Sequence, residues 1–182
     1  TGYYTANTDT AYTVNHYQED LNADTYTLAE TENLAGTTGA QTAAAAKTYP
    51  GFTAQTFSQK EIAADGSTVV DIYYSRNSYT LTYAVTGDYF ANAAYATATY
   101  EFGAAVTAIA TPSATGYTFN GWTGVPATMP AEDVTATGYY TANEDTPYRV
   151  EHYQKDLTGE GYTVAATENL TGRTGDPVTA IA

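Results

Sequence analysis

The chain has 182 residues, with 6 Lys and Arg against 20 Asp and Glu, a net charge of −14 and no cysteine. An acid excess of that size, spread along the chain, sets the protein against nucleic acid and against direct membrane contact, because both surfaces repel it. There is also no disulfide framework, thiolate metal site or thiol nucleophile, and no apolar run approaches the roughly 20 residues of a membrane-spanning helix.

In chain order, residues 1–10 read as the last strand of a preceding module plus a linker, because Thr1–Asn7 recurs at 137–143. Module A spans 11–77. Tyr12, Val14 and His16 share one parity and Thr13, Asn15 and Tyr17 the other, the period-two pattern of a half-buried strand. Tyr26, Leu28 and Leu34 open and close a second strand, and Glu30 and Glu32 on the same parity predict a bulge or a projecting strand end. The alanine-rich run Ala40–Lys47 predicts one or two helical turns that end at Pro50-Gly51. Val70, Ile72 and Tyr74, after an Asp65-Gly66 turn, mark the last strand.

Module B spans 78–143. It opens with Tyr79, Leu81, Tyr83 and Val85 alternating with small polar residues, and Tyr100 and Phe102 lie on the next strand. Asp88–Tyr100 is long and alanine-rich, which suits either a long ligand loop or a long hairpin. Asn120-Gly121 predicts a hairpin turn beside Trp122, and Met129-Pro130 leads into a closing strand over Val134–Tyr140.

Residues 144–182 read as a truncated second module A. Placing 137–182 over 1–46 gives about 28 identities at a constant offset of 136, which marks a duplicated unit. The links at Arg76-Asn77-Ser78 and 142–147 are too short to act as floppy tethers, so a semi-rigid rod is expected. The strand at the opening and the strands at the close are cut inside repeats. They are expected to pair with each other, with module A or with a neighbouring chain.

Two sets of motifs carry a resemblance to known families. Tyr12–Tyr17, Glu30-Thr31-Glu32, Gly36–Gly39, Tyr49–Phe52 and Ile62–Val70 of module A resemble the mucin-binding-protein (MucBP) type repeat. Gly116–Trp122 and Ala127–Thr137 of module B resemble the internalin-type B repeat, also called the Listeria/Bacteroides repeat. The resemblance implies a mostly β chain of small β-grasp-like α+β modules in a tandem, elongated array. It also implies secretion or attachment to a bacterial cell wall. The expected role is a non-enzymatic stalk whose partners are the neighbouring repeats of the same chain. The alternative is an adhesin module that binds mucin glycans or a host protein.

Several residues are candidates for chemistry. Tyr3-Tyr4, Tyr73-Tyr74 and Tyr139-Tyr140 put one ring on each face of a strand, and Tyr73, Tyr74, Tyr139 and Tyr140 are the candidate ligand contacts. Their competing role is packing between modules. Trp122 is expected in the core. Glu30 and Glu32, with Asp20 and Asp24, offer oxygen ligands to calcium, and the competing reading is a solvated acidic edge. No other cofactor is expected. His16 and His152 occupy one position in two repeats, which suits a structural residue better than a catalytic pair. Lys47 and Lys60 raise the case of a Lys to Asn or Asp amide cross-link. No GxSxG, HExxH, P-loop or dinucleotide-binding pattern occurs, and no enzymatic activity is expected.

Overall fold

The computed structural model describes residues 2–21, 25–88, 90–157 and 159–179. Strands β1 (Thr10–Glu19), β2 (Tyr26–Gly36), β3 (Phe52–Ala54) and β4 (Val69–Arg76) form one sheet in the order β2-β1-β4-β3. Strands β5 (Ser78–Gly87), β6 (Phe90–Glu101), β7 (Tyr117–Thr123) and β8 (Val134–Ala142) form a second in the order β6-β5-β8-β7. Numbered within each sheet, both orders read 2-1-4-3, so two unlike sequences build one topology. Strands β9 (Thr146–Lys155) and β10 (Tyr162–Gly172) form a two-stranded sheet. The protein is all-β, and the described residues contain no helix.

The chain divides into two compact units, one of Thr1–Leu81, Ala98–Val106 and Pro126–Val134, the other of Thr82–Thr97, Thr107–Val125 and Thr135–Ala182. In the first unit, β1 lies antiparallel to β2 and parallel to β4. The alternation seen in the sequence puts Tyr12, Val14, Val70, Ile72 and Tyr74 on the buried face, where Ile62 and Ala44 join them. Leu34, Tyr49, Phe52 and Phe57 pack around this cluster. Burying each of these larger side chains stabilises the fold by about 1.5–3 kcal/mol before entropy is counted. The β1–β2 register shifts between His16 and Tyr17, leaving Ala29 as the extra residue, and the same shift recurs at Ala165 between β9 and β10.

The helix expected over Ala40–Lys47 does not form. The segment is extended and bridges Gln41 to Glu61. Eight residues are too few for a stable isolated helix, whereas the extended path has waiting partners. Ala43 N–H donates to the Tyr12 hydroxyl (3.2 Å), Ala44 N–H to Gln59 Oε1 (2.9 Å) and Lys47 N–H to the Tyr74 hydroxyl (2.8 Å). The α part of the expected α+β module is therefore replaced by an extended crossover.

In the second unit, Asn120-Gly121 is not a hairpin turn. It lies inside β7, where the pairing to β8 shifts between Phe119 and Trp122 and Gly121 takes a φ of 100°. The bulge brings Phe119 and Trp122 together, with ring centroids 5.1 Å apart. Gly138 leaves room for them, since a Cβ there would lie 2.4 Å from Phe119 Cε2 and 2.8 Å from Trp122 Cζ3. Between Asp88 and Tyr100 the outcome is the long hairpin, with β6 running 12 residues.

The opening segment and the closing strands, expected to pair with each other, with module A or with a neighbouring chain, are not taken up into other sheets among the described residues. Residues 2–9 form no strand, and Tyr3 and Tyr4 are exposed. Among the described residues, strands β9 and β10 pair with each other and with no third strand.

Candidate functional site: the links and the outward tyrosines

Three asparagines at corresponding points make one repeated joint. Asn77 is the single residue between β4 and β5; its N–H donates to Gly51 O (2.9 Å) and its carbonyl accepts Phe102 N–H (2.8 Å). After β8, Asn143 N–H donates to Gly116 O (2.9 Å) and its carbonyl accepts Thr174 N–H (2.9 Å). The carbonyl of Asn7 accepts Thr38 N–H (2.8 Å) in the same manner. The side chains match as well: Thr53 Oγ1 donates to Asn77 Oδ1 (2.7 Å) and Thr118 Oγ1 to Asn143 Oδ1 (2.8 Å).

The two glycines are at these joints for a steric reason. Gly51 and Gly116 have φ of 79° and 82°, a conformation that disfavours other residues. A Cβ on Gly51 would lie 2.3 Å from the Phe102 ring, and one on Gly116 would lie 2.7 Å from Thr174 Oγ1. The sequence reading placed these residues in links, a stop and a family motif but missed the joint they form. Their signal is a shared spacing, Tyr-Tyr-x-x-Asn at 73–77 and 139–143 and Gly-aromatic-Thr at 51–53 and 116–118.

Two of the chain's scarce cations brace the joints. Arg76 donates from Nη1 to Phe102 O (2.6 Å) and from Nη2 to Glu19 O (2.7 Å), and its guanidinium lies 4.8 Å from the Phe52 ring centroid. Phe52 and Phe102 meet edge to face at 5.7 Å. Arg173 pairs with Asp88 (2.7 Å) and Glu144 (2.9 Å). Asp88 also accepts the Ala142 N–H and the Tyr139 hydroxyl, and its carboxyl is held below the ordinary range, chiefly by the Ala142 amide.

The candidate tyrosines separate by face. Tyr74 is 0% exposed and Tyr140 4%, which removes both from the ligand-contact set because strand alternation turns them into the core. Tyr73 and Tyr139 remain outward at 38% and 44%. Tyr73 stacks on Tyr17 (5.1 Å, 18°) and meets the Tyr26 edge (5.0 Å), while Gln55 Nε2 donates to the Tyr26 hydroxyl. Trp122 is half-buried and packs against Tyr83 at 4.9 Å.

The acidic residues proposed for calcium are engaged elsewhere. Lys47 Nζ lies 2.5 Å from Glu30 and 3.0 Å from Glu32, Tyr49 donates to Glu30, and the His16 ring meets Glu32 at 2.9 Å. Asp20 instead accepts the Thr27 hydroxyl, and Asp24 lies outside the described residues. Among the described residues no three His, Asp or Glu side chains gather as a metal-ligand group. The Lys47 hydrogen bond lowers the Glu30 pKa, with the Tyr49 hydroxyl adding to it; His16 and then Lys47 lower that of Glu32. Both carboxylates raise the Lys47 pKa, so the amine is held as an ammonium, the opposite of what amide formation needs. Lys60 donates to Val69 O (2.6 Å).

No family model matches the chain, and no curated protein does. Among solved structures it is similar to one described as "Crystal structure of Mub-RV", with 12% identity over 72% of this chain and 98% of that one and a TM-score of 0.25. A superposition at that level carries no argument about function.

Proposed function

We propose that this chain is a non-enzymatic spacer segment, in which alternating modules are coupled end to end by the asparagine joint. By the family resemblance of its motifs, it belongs to a secreted or wall-anchored bacterial surface protein. The observation that carries the spacer reading is the recurrence of one joint between modules of unlike sequence. A joint that satisfies the linker backbone on both sides and forbids a Cβ at its glycine restricts the hinge that a single-residue link would otherwise provide. Repeat arrays lengthen through neighbour contacts alone, so a restricted joint turns added modules into reach.

Small-angle scattering tests this on the whole chain and on a double variant, Asn77→Ala with Asn143→Ala. The expected outcome is a narrow distance distribution for the native chain and a broader one for the variant. A native profile that only freely hinged modules can fit overturns the proposal.

A second reading rests on Tyr17, Tyr26 and Tyr73. Their rings form an outward platform beside the amide of Gln55, and stacked aromatic faces with adjacent hydrogen-bonding groups suit the apolar faces of sugars. Under this reading the segment also binds glycans, mucin glycans being the expected class. A glycan array with native chain and Tyr73→Ala at physiological salt separates the two: saturable binding that the substitution abolishes supports it, and no binding overturns it.

A further inference from the structure

Strands at sheet edges are ordinarily blunted by charge, shortness or a bulge, which turns a further strand away. Among the described residues, β2 carries Glu30 and Glu32, β3 is three residues long, and β9 and β10 carry Arg149, Glu151, Lys155 and Glu168. Strand β7 is uncharged, but it is seven residues long and its register breaks between Phe119 and Trp122. Strand β6 has none of these devices. It runs 12 residues along the edge of its sheet without Gly or Pro, and Phe90–Tyr100 holds no charged residue. Ala93, Ala94, Tyr95, Thr97 and Thr99 are exposed along it, Tyr95 at 52%.

Charge selects what covers this edge. A chain with a net charge of −14 repels its own copy over most of its length, whereas residues 89–100 form an uncharged stretch. Asp88, just before that stretch, is already paired with Arg173 at 2.7 Å. A basic segment finds no acid on Phe90–Tyr100 to pair with, and an acidic segment is repelled by the chain as a whole. What suits the edge is an uncharged strand of small residues, and β6 is itself such a strand.

We propose that β6 is a self-pairing edge whose partner is β6 of a second copy of this chain, antiparallel about a two-fold axis at Tyr95. The axis sets Tyr95 opposite its own copy and Thr97 opposite Ala93 of the second copy, so an aromatic pair is flanked by small residues. Tyr95 is the large exposed side chain in the middle of the uncharged stretch. With the axis there, Glu101 lies about 20 Å away along the strand. Main-chain hydrogen bonds supply the affinity, and the absence of charge supplies the selectivity.

The test follows the whole chain by sedimentation velocity over a range of concentrations at low and physiological salt. The expected result is a reversible dimer that tightens with salt, because screening weakens the repulsion between two acidic chains. Thr97→Glu is expected to weaken the dimer about tenfold, because a carboxylate enters the paired edge. Ser58→Glu adds the same charge to an exposed loop and is expected to change the dimer by less than about twofold. The chain has no cysteine, so Tyr95→Cys and Thr99→Cys each place a single thiol. Mild oxidation is expected to cross-link the first variant and not the second, whose two thiols lie about 26 Å apart along the paired strands. The proposal is overturned if the chain is monomeric at every concentration, if Thr97→Glu and Ser58→Glu cost the dimer equally, or if the two cysteine variants cross-link alike.

Discussion

His16 is the residue around which the first sheet is tied together, since its two ring nitrogens reach β4 through Tyr74 and β2 through Glu32. The Tyr74 hydroxyl accepts Lys47 N–H and lies within hydrogen-bond distance of Nδ1, so the one ring links the backbone of the 40–47 segment, β4 and the Glu32 carboxylate. Glu32 in turn shares Lys47 with Glu30, and Tyr49, its pKa raised to about 12 by burial and then by Glu30, closes the set. The folded pKa values of Glu30 and Glu32 lie below their ordinary 4.5. Their contribution is therefore complete above that value and is lost as pH falls through the folded values. That of Lys47, with its pKa raised, is present below the ordinary 10.5 and is lost in strong base. The melting temperature of the native chain is expected to hold between neutrality and about pH 5 and to fall below it. Lys47→Met is expected to melt lower at neutral pH and with a shallower acid slope. Melting followed by circular dichroism checks this, and parallel curves for the two proteins would place the acid sensitivity elsewhere. The sequence identified His16 as a repeated structural position, but its partners were not legible, because Glu32 and Tyr74 lie 16 and 58 residues along the chain.

At the scale of elements, bulges decide which side chains meet. The bulge at Asn120-Gly121 sets Phe119 opposite Tyr140 and Trp122 opposite Gly138, so two aromatic rings converge over a position with no side chain. Gly138→Ala is expected to cost about 1–3 kcal/mol, the range for inserting a methyl group into packed surroundings. Gly121→Ala meets open space and is penalised only by its φ of 100°. Chemical denaturation of the two variants, with Gly138→Ala the more destabilised, is the check; equal losses would mean that backbone strain and not ring packing governs this strand. Strands β1, β4 and β5 were legible from alternation, whereas the short β3, the start of β6 and the continuity of β7 were not. The Asn-Gly pair was misread as a turn because local turn preference serves a bulge equally well, and only the pairing of β7 with β8 tells the two apart. Ala40–Lys47 follows the same logic: its helix preference is modest, and hydroxyl and amide groups from Tyr12, Gln59 and Tyr74 outweigh it.

Across the whole molecule, the joints are where a change should be felt furthest from its site. Gly51→Ala places a Cβ 2.3 Å from the Phe102 ring in a backbone conformation unfavourable to alanine. It is expected to loosen the joint while leaving the buried cluster of Tyr12, Val14 and Ile72 intact. Hydrogen exchange checks this: the Phe102 amide, bonded to Asn77, should lose protection while amides of β1 retain theirs, and unchanged protection at Phe102 would dismiss the steric account. The sequence by itself determined the repeat, the strand parities, the turn at Asp65-Gly66 and the scarcity of cations, because each is a property of neighbouring residues or of composition. Tertiary structure decided the rest, and one heptapeptide makes the point. Thr-Gly-Tyr-Tyr-Thr-Ala-Asn occurs at 1–7 and at 137–143, yet residues 2–7 form no strand whereas 137–142 lie within β8. The difference is that β8 has β5 and β7 on its two sides to take its backbone hydrogen bonds, so strand structure belongs to the neighbours as much as to the residues.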